Sequence, residues 1–208
     1  MKRKGFKGIL LLLSMLFALT GCSVSEATQH GMAVDTIQTE DVLLRVDFLN
    51  VGQADCALST NGHYMVIDGG NNGDADTILS YLEGQGVEKL DAVVGTHPHE
   101  DHIGSLDAII NHFDVDAVYM PKIMHTSKTF EDVLDAVANK GLKIKSPDPG
   151  DTIDFNGLEI EVLGPQREYK DFNNNSIVLK VNAGETAFLF TGDAEETAEK
   201  DILQAGYD

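Results

Sequence analysis

Six consecutive residues, His97-Pro98-His99-Glu100-Asp101-His102, gather three imidazoles and a metal-type carboxylate into one short segment, and nothing else in the chain is so restrictive. The run follows an apolar stretch, Leu90 to Gly95, of the length of a strand buried on both faces. It precedes a helical pattern from Ile103 to His112. Imidazole and carboxylate donors suit zinc, manganese or iron, and a strand-to-helix connection can turn alternate side chains toward two neighbouring metal positions. The sequence therefore predicts a βα unit built around a metal site.

The rest of the chain fills in the layers around that unit. Strands are expected first, at Val42 to Leu49, Cys56 to Ser59 and Tyr64 to Asp68, with turns at Gly52 and Asn61-Gly62, an antiparallel start. A helix over Asp74 to Glu83 carries Ile78, Leu79 and Leu82 on one face. Further βα units follow: a strand at Ala117 to Met120, a helix over Lys128 to Asn139 with Phe130, Val133, Leu134 and Val137, and a short strand near Leu142 to Ile144. Two hairpins come next, Thr152 to Phe155 with Leu158 to Leu163 about Asn156-Gly157, and Ile177 to Val181 with Thr186 to Thr191. A last helix spans Glu195 to Gln204. Meanders combined with βα units predict an α/β chain, a layered αββα sandwich with helices on the outer faces of two sheets.

The N-terminus reads as an address. Lys2, Arg3, Lys4 and Lys7 precede Ile9 to Leu19, an apolar run too short to span a bilayer stably but suited to the core of a signal peptide. It ends in Leu19-Thr20-Gly21-Cys22, which resembles the bacterial lipobox; the resemblance implies cleavage after residue 21 and acylation of Cys22. Residues 1–21 are thus expected to be a lipoprotein signal peptide, 22–40 a flexible tether, and 41–208 the folded domain. The acyl chain would hold that domain on the outer face of the bacterial cell membrane. Of the 15 basic residues only 11 remain beyond the leader, against 34 acidic ones, and a passive grip on nucleic acid through Lys/Arg is disfavoured. An enzyme whose metals supply positive charge is compatible with that balance. Cys56, in an apolar strand, reads as a buried inert thiol.

Several segments in order carry a family resemblance: Phe48-Leu49-Asn50-Val51-Gly52-Gln53-Ala54-Asp55, Ile67-Asp68-Gly69-Gly70, the histidine run, Asn175-Ser176-Ile177-Val178-Leu179, and Leu189-Phe190-Thr191-Gly192-Asp193. The run matches the HxHxDH signature, and over most of residues 42–208 the sequence resembles the metallo-β-lactamase superfamily, with its nearest likeness in the extracytoplasmic hydrolase domain of ComEC-like competence proteins. The resemblance implies two divalent metal ions, Zn2+ or Mn2+. His97 and His99 would bind one, Asp101 and His102 the second, and Asp193 would bridge both. Asp101 would also act catalytically as general base, and Asp68 would fix the histidine loop by hydrogen bonds from behind.

Two departures bear on the site. Where many relatives carry a further His, this chain reads Phe172-Asn173-Asn174-Asn175-Ser176; His112 and His125 read as surface residues rather than substitutes. The family's closing His-bearing segment is also absent before Asp208, so the C-terminal part of the sandwich is expected to be truncated and the second metal short of a protein ligand. The expected function is an exported, lipid-anchored, dinuclear metal-dependent hydrolase, a phosphodiesterase acting on DNA or an envelope phosphate-ester polymer, with no defined protein partner. The alternatives are a β-lactam or thioester hydrolase, and a non-catalytic metal- or ligand-binding lipoprotein on a degenerate scaffold.

Overall fold

Period-two alternation in the first half of the chain sends successive side chains into two different cores. Leu58, Val66 and Val93 point to one side, and Ala57, Met65, Ile67, Ala92 and Val94 to the other. A sheet buried on both faces follows. The computed structural model describes residues 44–207; the leader, Cys22 and the tether lie outside the described residues.

Six strands form the first sheet: β1 (Arg45–Phe48), β2 (Ala57–Thr60), β3 (Tyr64–Ile67), β5 (Ala92–Val94), β7 (Val118–Tyr119) and β8 (Ile144–Lys145), adjacent in that order. β1, β2 and β3 pair antiparallel, whereas β3, β5, β7 and β8 run parallel. Helices α1 (Ala75–Gly84), α3 (Leu106–His112) and α4 (Lys128–Asn139) cover one face. Their Ile78, Leu82, Leu106, Ile109, Ile110, Phe130, Val133 and Val137 join Leu58, Val66, Val93 and Val118 in one core. The second sheet, wholly antiparallel, contains β12 (Thr186–Phe190), β11 (Val178–Ala183), β10 (Leu158–Gly164) and β9 (Thr152–Phe155) in that order. Its Phe155, Ile160, Val162, Leu179 and Val181 meet the other face of the first sheet in an apolar layer between the sheets. Helix α5 (Glu196–Gln204) closes the outer face through Ile202, against Leu163 and Val178. This is the expected αββα layering.

Three elements differ from the sequence reading, each for a local reason. The stretch 90–95 is broken at Asp91, whose carboxylate accepts the Tyr64 N–H (3.0 Å). Leu90 instead belongs to β4 (Lys89–Leu90), which pairs in parallel with β6 (Asp114–Val115) as a separate ladder. Helix 103–112 starts earlier, as α2 (Glu100–Ile103), and is interrupted at Gly104-Ser105 before α3. There the chain passes so close to residues 71–72 that a Cβ on Gly104 would lie 2.2 Å from the Asn71 carbonyl carbon. The three asparagines 173–175 form a 3-10 turn that the sequence pattern did not announce. No helix among the described residues is long and apolar enough to cross a membrane.

Candidate metal centre

Parallel strands leave their C-terminal ends on one edge of the sheet, and connections leaving that edge are where side chains from different strands converge. Here β3 delivers Asp68 and β5 delivers Thr96 and the histidine run. From the second sheet, β12 delivers Asp193.

Asp68 organises the site from behind. It is 2% exposed and holds a left-handed backbone (φ 60°), a conformation a non-glycine residue keeps only when its surroundings enforce it. Its Oδ1 accepts the Thr96 N–H (2.7 Å), and its Oδ2 accepts the Thr96 hydroxyl (2.7 Å) and His102 Nδ1 (2.8 Å). The Thr96 hydroxyl, its proton committed to Asp68, is left to accept from His97 Nδ1 at 3.3 Å. One carboxylate thus places the ring protons of both His97 and His102 on Nδ1, directly or through Thr96. Both Nε2 atoms are thereby turned to the other side. Backbone bonds fasten the neighbouring loops to this frame: Gly69 N–H to His102 C=O (2.6 Å), Asp55 N–H to Asp101 C=O (3.1 Å) and Gly70 N–H to Asp55 C=O (2.8 Å).

These two nitrogens meet Asp193. His102 Nε2 lies 3.2 Å from Asp193 Oδ1, and His97 Nε2 lies 3.8 Å from Oδ2, so each carboxylate oxygen faces a different histidine. His99 Nδ1 lies 3.0 Å from His97 Nε2. Ligand atoms of His97, His99 and Asp193 all fall within 4.8 Å of one another, as the donors around one cation must. Two nitrogen lone pairs and a carboxylate aimed at one point repel unless a proton or a cation lies between them, and this N/O donor set fits zinc, manganese or iron. Gly192 admits this arrangement: its φ is +50°, and a Cβ there would lie 2.7 Å from the Thr96 hydroxyl and 2.9 Å from the Ser176 hydroxyl, which accepts the Asp193 N–H.

Protonation follows the geometry. Burial, reinforced by the nearby charges of His102 and His99, pushes His97 down to about 3, so the ring is neutral and its Nε2 free. Burial also opposes charge on His102, but the Asp68 hydrogen bond and the charges of Asp68, Asp193 and Asp101 outweigh it and hold that imidazole up at about 9. Burial pushes the Asp68 carboxyl up, against the opposing pull of His102 and Thr96. A second group of possible ligands, Asp55, Asp68 and His102, is better described as the support of the first. Asp68 oxygens there already accept three hydrogen bonds, and Asp55 Oδ2 stands 3.9 Å from the same protonated Nδ1.

The structure thus gathers four of the five residues expected at the metals: His97, His99, His102 and Asp193. Asp101 falls in neither group; it borders a shallow depression with Gln53, Asn71 and Glu100 while its charge still reaches His102. Asp68 stands where the sequence expected it, behind the histidine loop. Thr96 carries no signal in sequence, since its role appears only once β3 and β5 are neighbours. Cys56 is buried, and burial with the charges of Asp68, Asp74 and Asp55 pushes its thiol up to about 12. His112 pairs with Glu83 on the surface, as expected. His125 differs from its expected place: it is half-buried, with ring contacts to His99 (6.4 Å between centroids) and Phe172 (4.7 Å). Asn174 and Asn175 are consumed in shaping the loop over 169–176, bonding to Asp171, Tyr169 and Glu195.

Known proteins share this architecture. ComE operon protein 3 of Bacillus subtilis is 30% identical over 127 residues, covering 61% of this chain and 16% of that protein. The hydroxyacylglutathione hydrolase of Aeromonas hydrophila is 34% identical over 101 residues, covering 49% of this chain and 33% of that protein. The chain therefore spans a third or less of the length of these two relatives. Among solved structures, the metallo-β-lactamase fold protein YhfI of Bacillus subtilis superposes with a TM-score of 0.51 at 14% identity, covering 71% of this chain and 61% of that one. The family model of the metallo-β-lactamase superfamily matches residues 49–205, and with the paired sheets and the histidine run in place the chain belongs to that superfamily, a metal-dependent hydrolase fold.

Proposed function

We propose that the chain is a dinuclear metal-dependent phosphodiesterase that acts on DNA or on a phosphate-ester polymer of the cell envelope, held at the outer face of the bacterial cell membrane by an acylated Cys22. The observation that carries the reading is Asp193, whose two oxygens are divided between His97 and His102 as a bridging ligand requires. His97 and His99 would hold one cation, and His102 with Asp101 the other. Such cations, when bound, bring a water toward ionisation at neutral pH and offset charge on the leaving oxygen. The protein's own part is orientation. Asp68 and Thr96 keep Nε2 of His97 and His102 turned toward Asp193, Gly192 lets β12 approach, and Asp101, at the margin of the site, would take the proton of the attacking water.

The likeness to ComE operon protein 3 agrees with the ComEC-like resemblance, and it is that resemblance which favours DNA as the substrate. A second reading, thioester hydrolysis, is favoured by the hydroxyacylglutathione hydrolase likeness. The discriminating experiment loads the protein with zinc or manganese and compares bis(p-nitrophenyl) phosphate, an acylglutathione thioester and nitrocefin. Preferential turnover of the phosphodiester supports the first reading; preferential turnover of the thioester replaces it. For the anchor, Cys22→Ala should release the protein from the membrane fraction, and unchanged partitioning would remove lipidation from the proposal.

A further inference from the structure

The connection from β7 to α4 brings a histidine beside the metal centre that neither the family motifs nor the two ligand groups use. The ring of His125 stands perpendicular to that of His99 (88°, centroids 6.4 Å apart) and to that of Phe172 (77°, 4.7 Å), which itself contacts His99 at 5.7 Å. His125, Phe172 and His99 thus form one half-buried aromatic cluster beside the site, with Phe130 at 6.4 Å from His125.

The two nitrogens of this ring have different circumstances. Nδ1 accepts the backbone N–H of Ser127 (3.1 Å), so while that bond stands it carries no proton and the ring hydrogen is on Nε2. Nε2 makes no hydrogen bond to any described residue. The anchor is itself rigid. Ser127 caps α4, its hydroxyl accepting the Phe130 N–H (3.2 Å), and Phe130 is 4% exposed in the helix–sheet core. Asn72 bonds Thr129 and ties the same helix start to the turn after β3. A single residue, Ser127, thereby starts the helix with its side chain and fixes the histidine tautomer with its backbone.

A donor held in one orientation beside the histidines of the metal centre, with aromatic rings packed against it, is suited to an acceptor oxygen of the substrate. Resting on the phosphodiesterase reading, we infer that His125 is a substrate-binding residue whose Nε2–H donates to a non-bridging phosphate oxygen of the bound ester. Its role is to orient the ester; it takes no part in holding metal. Phe172 and Phe130 keep the ring upright.

Two substitutions separate these parts. His125→Phe keeps the ring and its packing but removes the donor. His125→Gln restores an N–H near the position of Nε2. In the zinc- or manganese-loaded full chain, His125→Phe is expected to lower kcat/KM for bis(p-nitrophenyl) phosphate roughly ten-fold or more, with metal content and Tm unchanged. His125→Gln should recover most of that loss. Wild-type activity in His125→Phe, or loss of a metal equivalent, overturns the assignment. A second readout needs no turnover: long-range 1H–15N spectra of the histidine rings during titration of the zinc-loaded chain with inorganic phosphate. The His125 Nε2–H signal should shift while Nδ1 keeps the signature of an acceptor; a protonated Nδ1 or an unmoved Nε2–H overturns the donor role. A chain that hydrolyses no phosphodiester but shows the phosphate shift would retain His125 as an oxyanion donor and refute the phosphodiesterase reading alone.

Discussion

Asp68 concentrates more of the site's order than any residue that faces a metal position. Asp68→Asn keeps the size but offers one acceptor oxygen where the carboxylate has two, so the Thr96 and His102 donors compete and the His102 ring loses its fixed orientation. Loss of such a supporting partner costs about 10–100-fold in metal affinity. Competition with a chelator should show that loss, with the folded CD spectrum retained. Asp193→Ala should remove both metals together while His97→Ala removes one, and unchanged stoichiometry in Asp193→Ala would cancel the bridging role. Cys56 gives a pH test with a definite sign. Its folded value, about 12, lies above the usual 9, so the neutral thiol is preferred in the folded state. The associated stability is complete below pH 9 and declines as pH rises toward 12. Iodoacetamide at pH 8.5 should accordingly label Cys56 in urea and spare it in buffer. Residues whose role lies in adjacency of type along the chain, the histidines above all, are legible in sequence. Thr96 and His125 are not, because their meaning depends on which strands end side by side.

Among elements, helix α4 is found at the residues its apolar spacing predicts, Lys128–Asn139, because Ser127 supplies a cap and Phe130, Val133 and Val137 recur at helical intervals. The β9–β10 hairpin was equally legible. Asn156 and Gly157 take left-handed backbone (φ 49° and 83°), the turn their sequence demands. The α2–α3 interruption was not. Helical periodicity continues through Gly104, and only the close passage of residues 71–72 reveals why glycine stands there. Gly104→Ala is therefore expected to lower Tm sharply, since backbone rather than a flexible side chain occupies the space a methyl needs. Leu179→Ala, in the layer between the sheets and fully buried, should cost about 2–5 kcal/mol. Leu203→Ala, 64% exposed on α5, should cost little by comparison. Urea unfolding of the two variants checks the contrast and with it the placement of the inner core.

At the scale of the molecule, the alternation of meander and βα segments made two sheets with outer helices readable, since each strand's inward and outward positions must find separate cores. What that pattern leaves open is how a chain with a formal charge of −19 tolerates its own repulsion while collecting carboxylates and histidines at one edge. Two effects of added cations follow and can be separated. Monovalent salt screens the diffuse repulsion over a Debye length of about 8–10 Å and should raise Tm modestly and without saturation at low concentration. Zinc or manganese, bound to the native donors but not to the dispersed ones of the unfolded chain, should raise Tm further, following the logarithm of free metal above its dissociation constant. Asp193→Ala should abolish the metal-specific increment and leave the salt increment intact, because it removes one surface charge from an excess of many but breaks the convergence of His97 and His102. If zinc stabilised this variant as strongly as the parent, the metals would be acting as counterions to the acidic surface, and the centre built on Asp193 would have to be abandoned.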